Sequence, residues 1–356
     1  MGSSLPRYLQ IKVHQAVLSK RYSEIIVHGA YNRSSPLSSP FDGEKRDKPF
    51  NWERPTARPG PPGSGTLYIE CFPGYDHVEH YAEIIACYLR ILESSSPNYA
   101  LTPSASVSFV PSSCTDTLSA LANRTNLPSF PGEGVHTVVL GMVWHLTNLT
   151  SYPTREFEGS GPWQWIIRTC GSGRRVAFLG FRPAFWGDIA GEVVHFLAER
   201  HRSIREFIYV GKLGVLRPEV RPNAWLATGG SSVVNGRTVE WDNVLAAAVE
   251  RRAGECTIVG RHVTLGSVLH ETKGWYEGMV GRGVDFVDPE IGNMAQAAVR
   301  SGTGFGYCHL ITDNLGRKYE EDLSNEREER VVEARKRLYR VIGEVLEEHL
   351  GAPVDE

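Results

Sequence analysis

The sequence has no excess of positive charge, no long apolar run and no paired-cysteine motif, and each absence narrows its function. Lysine and arginine number 38 against 41 aspartates and glutamates, a net charge of −3. That balance leaves no electrostatic footprint for nucleic acid or for an anionic membrane. No apolar stretch approaches the roughly 18 residues that a membrane span needs. The first residues, MGSSLPRYLQIKVHQ, have no apolar core like that of a secretion signal. The compartment expected on these grounds is the cytoplasm. Six cysteines, Cys71, Cys87, Cys114, Cys170, Cys256 and Cys308, form no CxxC pair and stand beside no histidine cluster. They read as free thiols, and neither a metal nor any other cofactor is expected. The sequons at Asn32, Asn123 and Asn148 read as chance matches without secretion.

What is present suits a globular protein with a substantial core: 41% hydrophobic and 22% charged residues over 356 positions. Residues 1–130 read as an N-terminal α/β extension. Strands are expected at Glu24–Ala30, Thr66–Phe72 and Ser106–Val110, with a short helix at Asp116–Ala122. A helix over Val78–Leu92 follows from Tyr81, Ile84, Ile85, Tyr88 and Leu92 at helical spacing. Between the first two strands, residues 34–65 are rich in Pro, Gly and Ser, end in RPGPPGSG, and read as a long loop.

From residue 131 the pattern becomes regular. Strands are expected at Val135–Leu140, Arg175–Leu179, Phe207–Val210, Ala224–Thr228, Thr257–Thr264 and Tyr307–Thr312. Helices are expected at Ile189–Glu199, Asn293–Arg300 and Val331–Leu350, the last with Val331, Ala334, Leu338, Ile342 and Val345 on one face. Such alternation predicts an α/β domain over 131–356, a mixed, mainly parallel sheet flanked by helices. Functional groups in such sheets gather beyond the carboxyl ends of the strands. Gly141, Gly180, Gly211 and Asp313 all stand at strand ends.

Three segments then occur in a telling order: FIYVGKLGVLRPEVRPNAWLATGG, VDPEIGNMAQAA (Val287–Ala298) and LITDN (Leu310–Asn314). Together they resemble the nucleoside phosphorylase/nucleosidase superfamily. The resemblance implies a nucleoside-phosphorylase-like fold, a small-molecule nucleoside or nucleotide as ligand, and a homo-oligomer. It also implies cleavage of a ribosyl C–N bond through a cationic sugar, with Asp313 as the acid that assists the departing base. Glu290 would bind the ribose hydroxyls, since a carboxylate accepts from two neighbouring OH groups. Read without the resemblance, Asp313 is a strand-end turn residue and Glu290 a first-turn acid complementing the helix dipole. Asp288 reads as an N-cap.

The anion site departs from the family pattern. Where phosphorylases hold phosphate with two arginines and a Ser/Thr, this chain has His145, Tyr209 and Lys212. Without guanidinium forks, hydrolysis is expected over phosphorolysis. A phosphorylase with an altered anion site, completed by Arg182 or by an arginine of a neighbouring subunit, stays open as an alternative. So does a repurposed or non-catalytic ligand-binding member. His145 reads either as a water-activating base or as a hydrogen-bonded structural histidine. Lys212 reads as an anion-binding point charge, a partner for Glu290 or Asp288, or a solvated lysine. Trp275 and Tyr276 read as a base-stacking pair or as core. Gly141, Gly211, Gly214 and Asn314 complete the expected substrate-binding set, and the adjacent His270 and Glu271 carry little weight as a dyad.

Overall fold

The computed structural model describes residues 5–19, 21–30, 55–95, 105–146, 156–170, 173–181, 186–319 and 328–351. Most of the Pro/Gly/Ser-rich stretch, together with Asn32, Asn148 and Arg182, lies outside the described residues.

The N-terminal unit contains α1 (Leu5–Lys12), α2 (Gln15–Ser19), β1 (Glu24–His28), β2 (Thr56–Pro59), β3 (Thr66–Glu70), α3 (Tyr75–Ser95) and β4 (Ser106–Val110). Its four strands run in the order β2-β3-β1-β4, with β1 parallel to both neighbours. One face of α3, including Val78, Tyr81, Ile85 and Tyr88, packs on Ile25, Val27, Leu67 and Ile69. Here the expected loop over 34–65 is corrected in part, because Thr56–Pro59 is a strand antiparallel to β3. It is an edge strand, and its proline stands at the end, where a missing N–H costs the ladder least.

Next come α4 (Cys114–Arg124), β5 (Val135–Gly141), β6 (Trp163–Thr169), β7 (Arg175–Phe181), α5 (Asp188–Arg200), β8 (Glu206–Val210), β9 (Lys212–Val215), β10 (Leu226–Thr228), β11 (Ser231–Val234), β12 (Arg237–Glu240) and α6 (Ala246–Ala253). The chain continues through β13 (Thr257–Val259), β14 (His262–Thr264), α7 (Lys273–Gly281), β15 (Phe286–Asp288), α8 (Ile291–Arg300), β16 (Gly304–Tyr307), β17 (His309–Asn314) and α9 (Glu329–Leu350). A Ser113–Asp116 capping box starts α4. Its Ala120 and Leu121, with Leu127 and Phe130, pack into the core of the larger unit rather than against the first sheet.

The larger unit holds a five-stranded sheet, β16-β8-β5-β7-β6, and an eight-stranded one, β12-β11-β14-β15-β9-β17-β10-β13. Parallel pairings predominate, and the fold is the mixed α/β arrangement with flanking helices that the strand–helix alternation implies. Alternation along the central strands assigns their side chains to two cores. Val138, Leu140, Leu179 and Phe207 pack with α5 and α8. Val139, Val176, Phe178, Ile208 and Val210 pack with α6 and α9. Both faces are therefore covered, which is why these strands read as continuous apolar runs.

Two long strands cross from one sheet to the other side by side. Strand β8 passes through Gly211 into β9, and β16 passes through Cys308 into β17; β16 is parallel to β8 and β17 to β9. Gly211 allows the crossing, since a Cβ there would lie 2.7 Å from the His309 Nε2 atom. The strand expected over Thr257–Thr264 is in fact two. β13 pairs with β10, and β14 with β11 and β15, on opposite sides of the sheet order. The chain breaks between them because the Gly260 amide is drawn to the Thr228 carbonyl and the Arg261 amide to Asp285.

Candidate active site

Five strands and the start of α8 bring together a buried set of polar groups. Asp288, the last residue of β15, accepts from the amides of Glu290 and Ile291, both at 2.9 Å; the N-cap position of α8 is held by Glu290 and not by Asp288, which satisfies the first helical amide from two residues further ahead. Its other neighbours are His262 Nε2 at 3.1 Å and His309 Nε2 at 3.7 Å. Behind His262, the Ser232 hydroxyl lies 2.9 Å from Nδ1. Glu290 is only 7% exposed and is hydrogen-bonded to Asp288 and to the Tyr209 hydroxyl. The Tyr209 ring meets His309 edge-on, with centroids 4.5 Å apart.

These contacts divide the charge unequally. Burial pushes the Asp288 carboxyl up, but His262, His309 and the helix amide together hold it below its usual range. For Glu290, burial and then the charge of Asp288 act in the same direction, and its pKa lies well above the usual value despite the Tyr209 hydroxyl. Of the two, Asp288 is held toward its ionised form and Glu290 toward its protonated form. Burial lowers the His309 pKa to about 4, so its imidazole is neutral.

Asp313 stands apart from this set, exposed at the end of β17. Gly214 on β9 is its register partner, and Val287 on β15 pairs with Gly214 from the other side. The Asp313 backbone is thus two strand spacings, roughly 10 Å, from the strand that delivers Asp288 and Glu290. The Thr312 hydroxyl donates to Asp313 at 2.8 Å. Two ionisable neighbours complete the surroundings. Burial, and after it the charge of Asp313, pushes the Glu271 pKa up to about 7. Arg335 of α9 is 7% exposed, donates from Nε to the Asn223 side chain at 2.8 Å, and feels the charge of Asp313.

Other residues singled out in the sequence take these places. Gly141 closes β5 at φ +100°, where an added Cβ would be 2.3 Å from the Val210 carbonyl and 2.7 Å from the Tyr209 ring. His145 is exposed, and its ring stacks on Tyr339 at 4.6 Å, one helical turn along α9 from Arg335. Lys212 is half-buried at the start of β9, opposite Leu310. Gly214 lies against Leu315 and Val287. The Asn314 amide donates to the carbonyls of Arg217 and Val220, so it holds the turn. The Tyr276 hydroxyl donates to the Leu216 carbonyl, and Trp275 and Tyr276 pack with Val263, Val284 and Val287. The structure therefore groups Gly141, Tyr209, Gly211 and Glu290 on one side, and places Asp313 and His145 toward Arg335. An open cleft of about 630 Å³ lined by Gly230, Glu240, Trp241 and Asp242 includes none of these residues.

Three residues that shape the site were missed by sequence reasoning. Arg335 had a signal: it sits at i+4 from Val331 and i−3 from Leu338, a cation inside the apolar stripe of α9. His262 and His309 had none, because they converge on Asp288 from separate strands.

No family model and no curated protein matches the sequence. Two solved structures are similar to part of the chain. One is a uridine phosphorylase from Vibrio fischeri complexed with 6-hydroxy-1-naphthoic acid, at 11% identity and a TM-score of 0.49, covering 59% of this chain and 90% of the other. Another is a candidate methylthioadenosine nucleosidase from Weissella paramesenteroides, at 12% identity and a TM-score of 0.46, covering 59% and 97%. With both scores below 0.5, no site residue is carried across from either.

Proposed function

We propose that this chain cleaves the N-glycosidic bond of a purine-like nucleoside or nucleotide, by hydrolysis. The observation that carries the reading is the pair at the end of β17, an accessible Asp313 beside a Glu271 that titrates near neutrality. Paired carboxyls whose environments differ suit proton transfer at physiological pH. In this reading Asp313 hydrogen-bonds the departing base and Glu271 holds the exchangeable proton beside it. A base that leaves with a proton need not leave as an anion.

Support for hydrolysis comes from the three anion positions. Phosphate must be stripped of water before it attacks, and fixed cationic donors have to replace that solvation. Tyr209 has its hydroxyl bonded to Glu290 inside the protein, and His145 lies flat on Tyr339. Lys212 is the one permanent charge among the three, and it supplies no fork geometry. One observation favours a second reading, a ligand-binding protein without turnover: Glu290 is buried beside Asp288, and both burial and that charge disfavour the negative charge that would stabilise a sugar cation.

The test is incubation with a panel of nucleosides and nucleotides, with and without phosphate, followed by chromatography for free base. Free base with free sugar or sugar-5-phosphate, in the absence of phosphate, is expected. Asp313→Asn should cut that rate by about 10²–10⁴-fold. A sugar-1-phosphate formed only with added phosphate would refute hydrolysis, and calorimetric binding without any cleavage would favour the second reading.

A further inference from the structure

We infer that the N-terminal unit is a positioning element of the candidate active site: a stripe on α3, formed by Asp76, His80 and Glu83, holds the Gly266–His270 segment and thereby places Glu271 beside Asp313. The inference builds on the proposed use of the Asp313–Glu271 pair. Its geometry is independent of any reaction.

The three stripe residues are spaced four and three apart, so they share one face of the helix. Each meets a different residue of the segment. His80 Nδ1 lies 2.9 Å from the Ser267 hydroxyl, with the two residues 5% and 1% exposed. That hydroxyl also accepts from the Leu269 amide, which fixes the turn at Val268–His270. Glu83 meets His270 Nε2 at 2.6 Å. Asp76 is wedged between two glycines: a Cβ on Gly187 would lie 2.4 Å from the Asp76 Cβ, and one on Gly266 would lie 2.9 Å from its Cγ.

A fourth contact locks the seam from the other unit. The Trp186 indole donates to the Gly266 carbonyl at 2.7 Å, and its ring stacks on His80 at 4.4 Å. The two units also exchange helix caps. Asp188 accepts from the amides of Tyr75 and Asp76, and Asp76 accepts from the amide of Asp188. Glu271 follows the gripped segment directly, its amide bonded to the Val268 carbonyl, and the next residue, Thr272, caps α7. The carboxylate therefore hangs from a backbone fixed on both sides, which is what keeps it out of water next to a like charge. A loop without the grip would swing Glu271 into solvent.

The experiment compares the full chain with His80→Ala, His80→Asn and Glu83→Gln. Two quantities are read: amide hydrogen exchange over residues 265–271, and the midpoint of the Glu271 carboxyl resonance in a ¹³C titration, assigned with Glu271→Gln. His80→Ala should speed exchange in the segment roughly five- to tenfold, as expected for one lost buried hydrogen bond. It should also lower the Glu271 midpoint from about 7 toward the ordinary carboxylate range. His80→Asn, which keeps a polar atom near the Nδ1 position, should recover most of both. Should His80→Ala fail to fold, Glu83→Gln at the half-exposed end of the stripe reads the same two quantities. Unchanged exchange, or a segment that loosens while the Glu271 midpoint stays put, overturns the inference. A nucleoside panel that yields no free base would instead refute the proposed reaction, while the exchange and titration results still decide the positioning role.

Discussion

Replacing Asp76 with asparagine should stabilise this protein at pH 8 and not at pH 4. Burial, and then the charge of Asp188, raise the Asp76 pKa from 3.8 to about 6, although the Asp188 amide donates to it at 3.0 Å. A carboxyl whose folded pKa is raised favours the folded state while protonated. That contribution is complete below about pH 4 and is lost as pH rises through 6. The ionised carboxylate at pH 8 therefore costs at most roughly 3 kcal/mol, the equivalent of about two pKa units. Asparagine abolishes that cost and relieves the repulsion on Asp188. It keeps an oxygen for the Asp188 amide but gives up the charge assistance, a loss of about 1 kcal/mol. The net expectation is a gain of about 1–2 kcal/mol at pH 8, shrinking to zero or a small loss at pH 4. Urea unfolding at intervals between the two, with the slope checked for constancy, reads this directly. Equal destabilisation at both ends would show that Asp76 is ionised and favourably paired, and the account of the seam would be wrong.

Other consequences follow from the site itself. Tyr209→Phe removes one of the two hydrogen bonds of Glu290 and leaves Asp288 as its partner, so it should cost about 0.5–1.5 kcal/mol in urea unfolding at pH 7, the net worth of one buried hydrogen bond; no loss would mean that the hydroxyl contributes nothing there. Gly141→Ala combines a φ of +100° with a Cβ 2.3 Å from a backbone oxygen, and should lower stability by at least about 2 kcal/mol. A melting temperature equal to that of the unaltered protein would refute that reading of the strand end. If Glu271 supplies the exchangeable proton, kcat/KM should fall as pH rises above about 7, where the proton is lost. Glu271→Gln should abolish that limb of the profile, and a limb that survives would assign it to another group.

Much of the fold was legible because its signals are local. β5, β7 and β8 are apolar runs, and α5 and α9 are periodic, so their ends in the structure fall within one or two residues of those expected. The β11–β12 hairpin also carries a local signal. Its turn is Asn235-Gly236, with φ of 48° and 76° at the two residues, the pattern that favours a two-residue hairpin. The division of Thr257–Thr264 had no comparable sign, because the Asp285 carboxylate and the Thr228 carbonyl that break it come from elsewhere in the chain. Within the candidate site, Glu290, Asp313 and the strand-end glycines stand out from motif order. Glu271 was seen only as one half of an adjacent pair, since its neighbour Asp313 is distant in sequence.

The residues alone determined the order of strands and helices, the two-sided burial of the central strands and the absence of arginine at positions 145, 209 and 212. Each depends on periodicity or identity, which are properties of a short stretch of chain. The tertiary structure decided which acid is pushed toward its protonated form, what neighbours Asp313, and how the N-terminal unit grips the segment before Glu271. Those outcomes depend on desolvation and on charge–charge distance, and both exist only once β15, β17, α3 and α9 have been brought together.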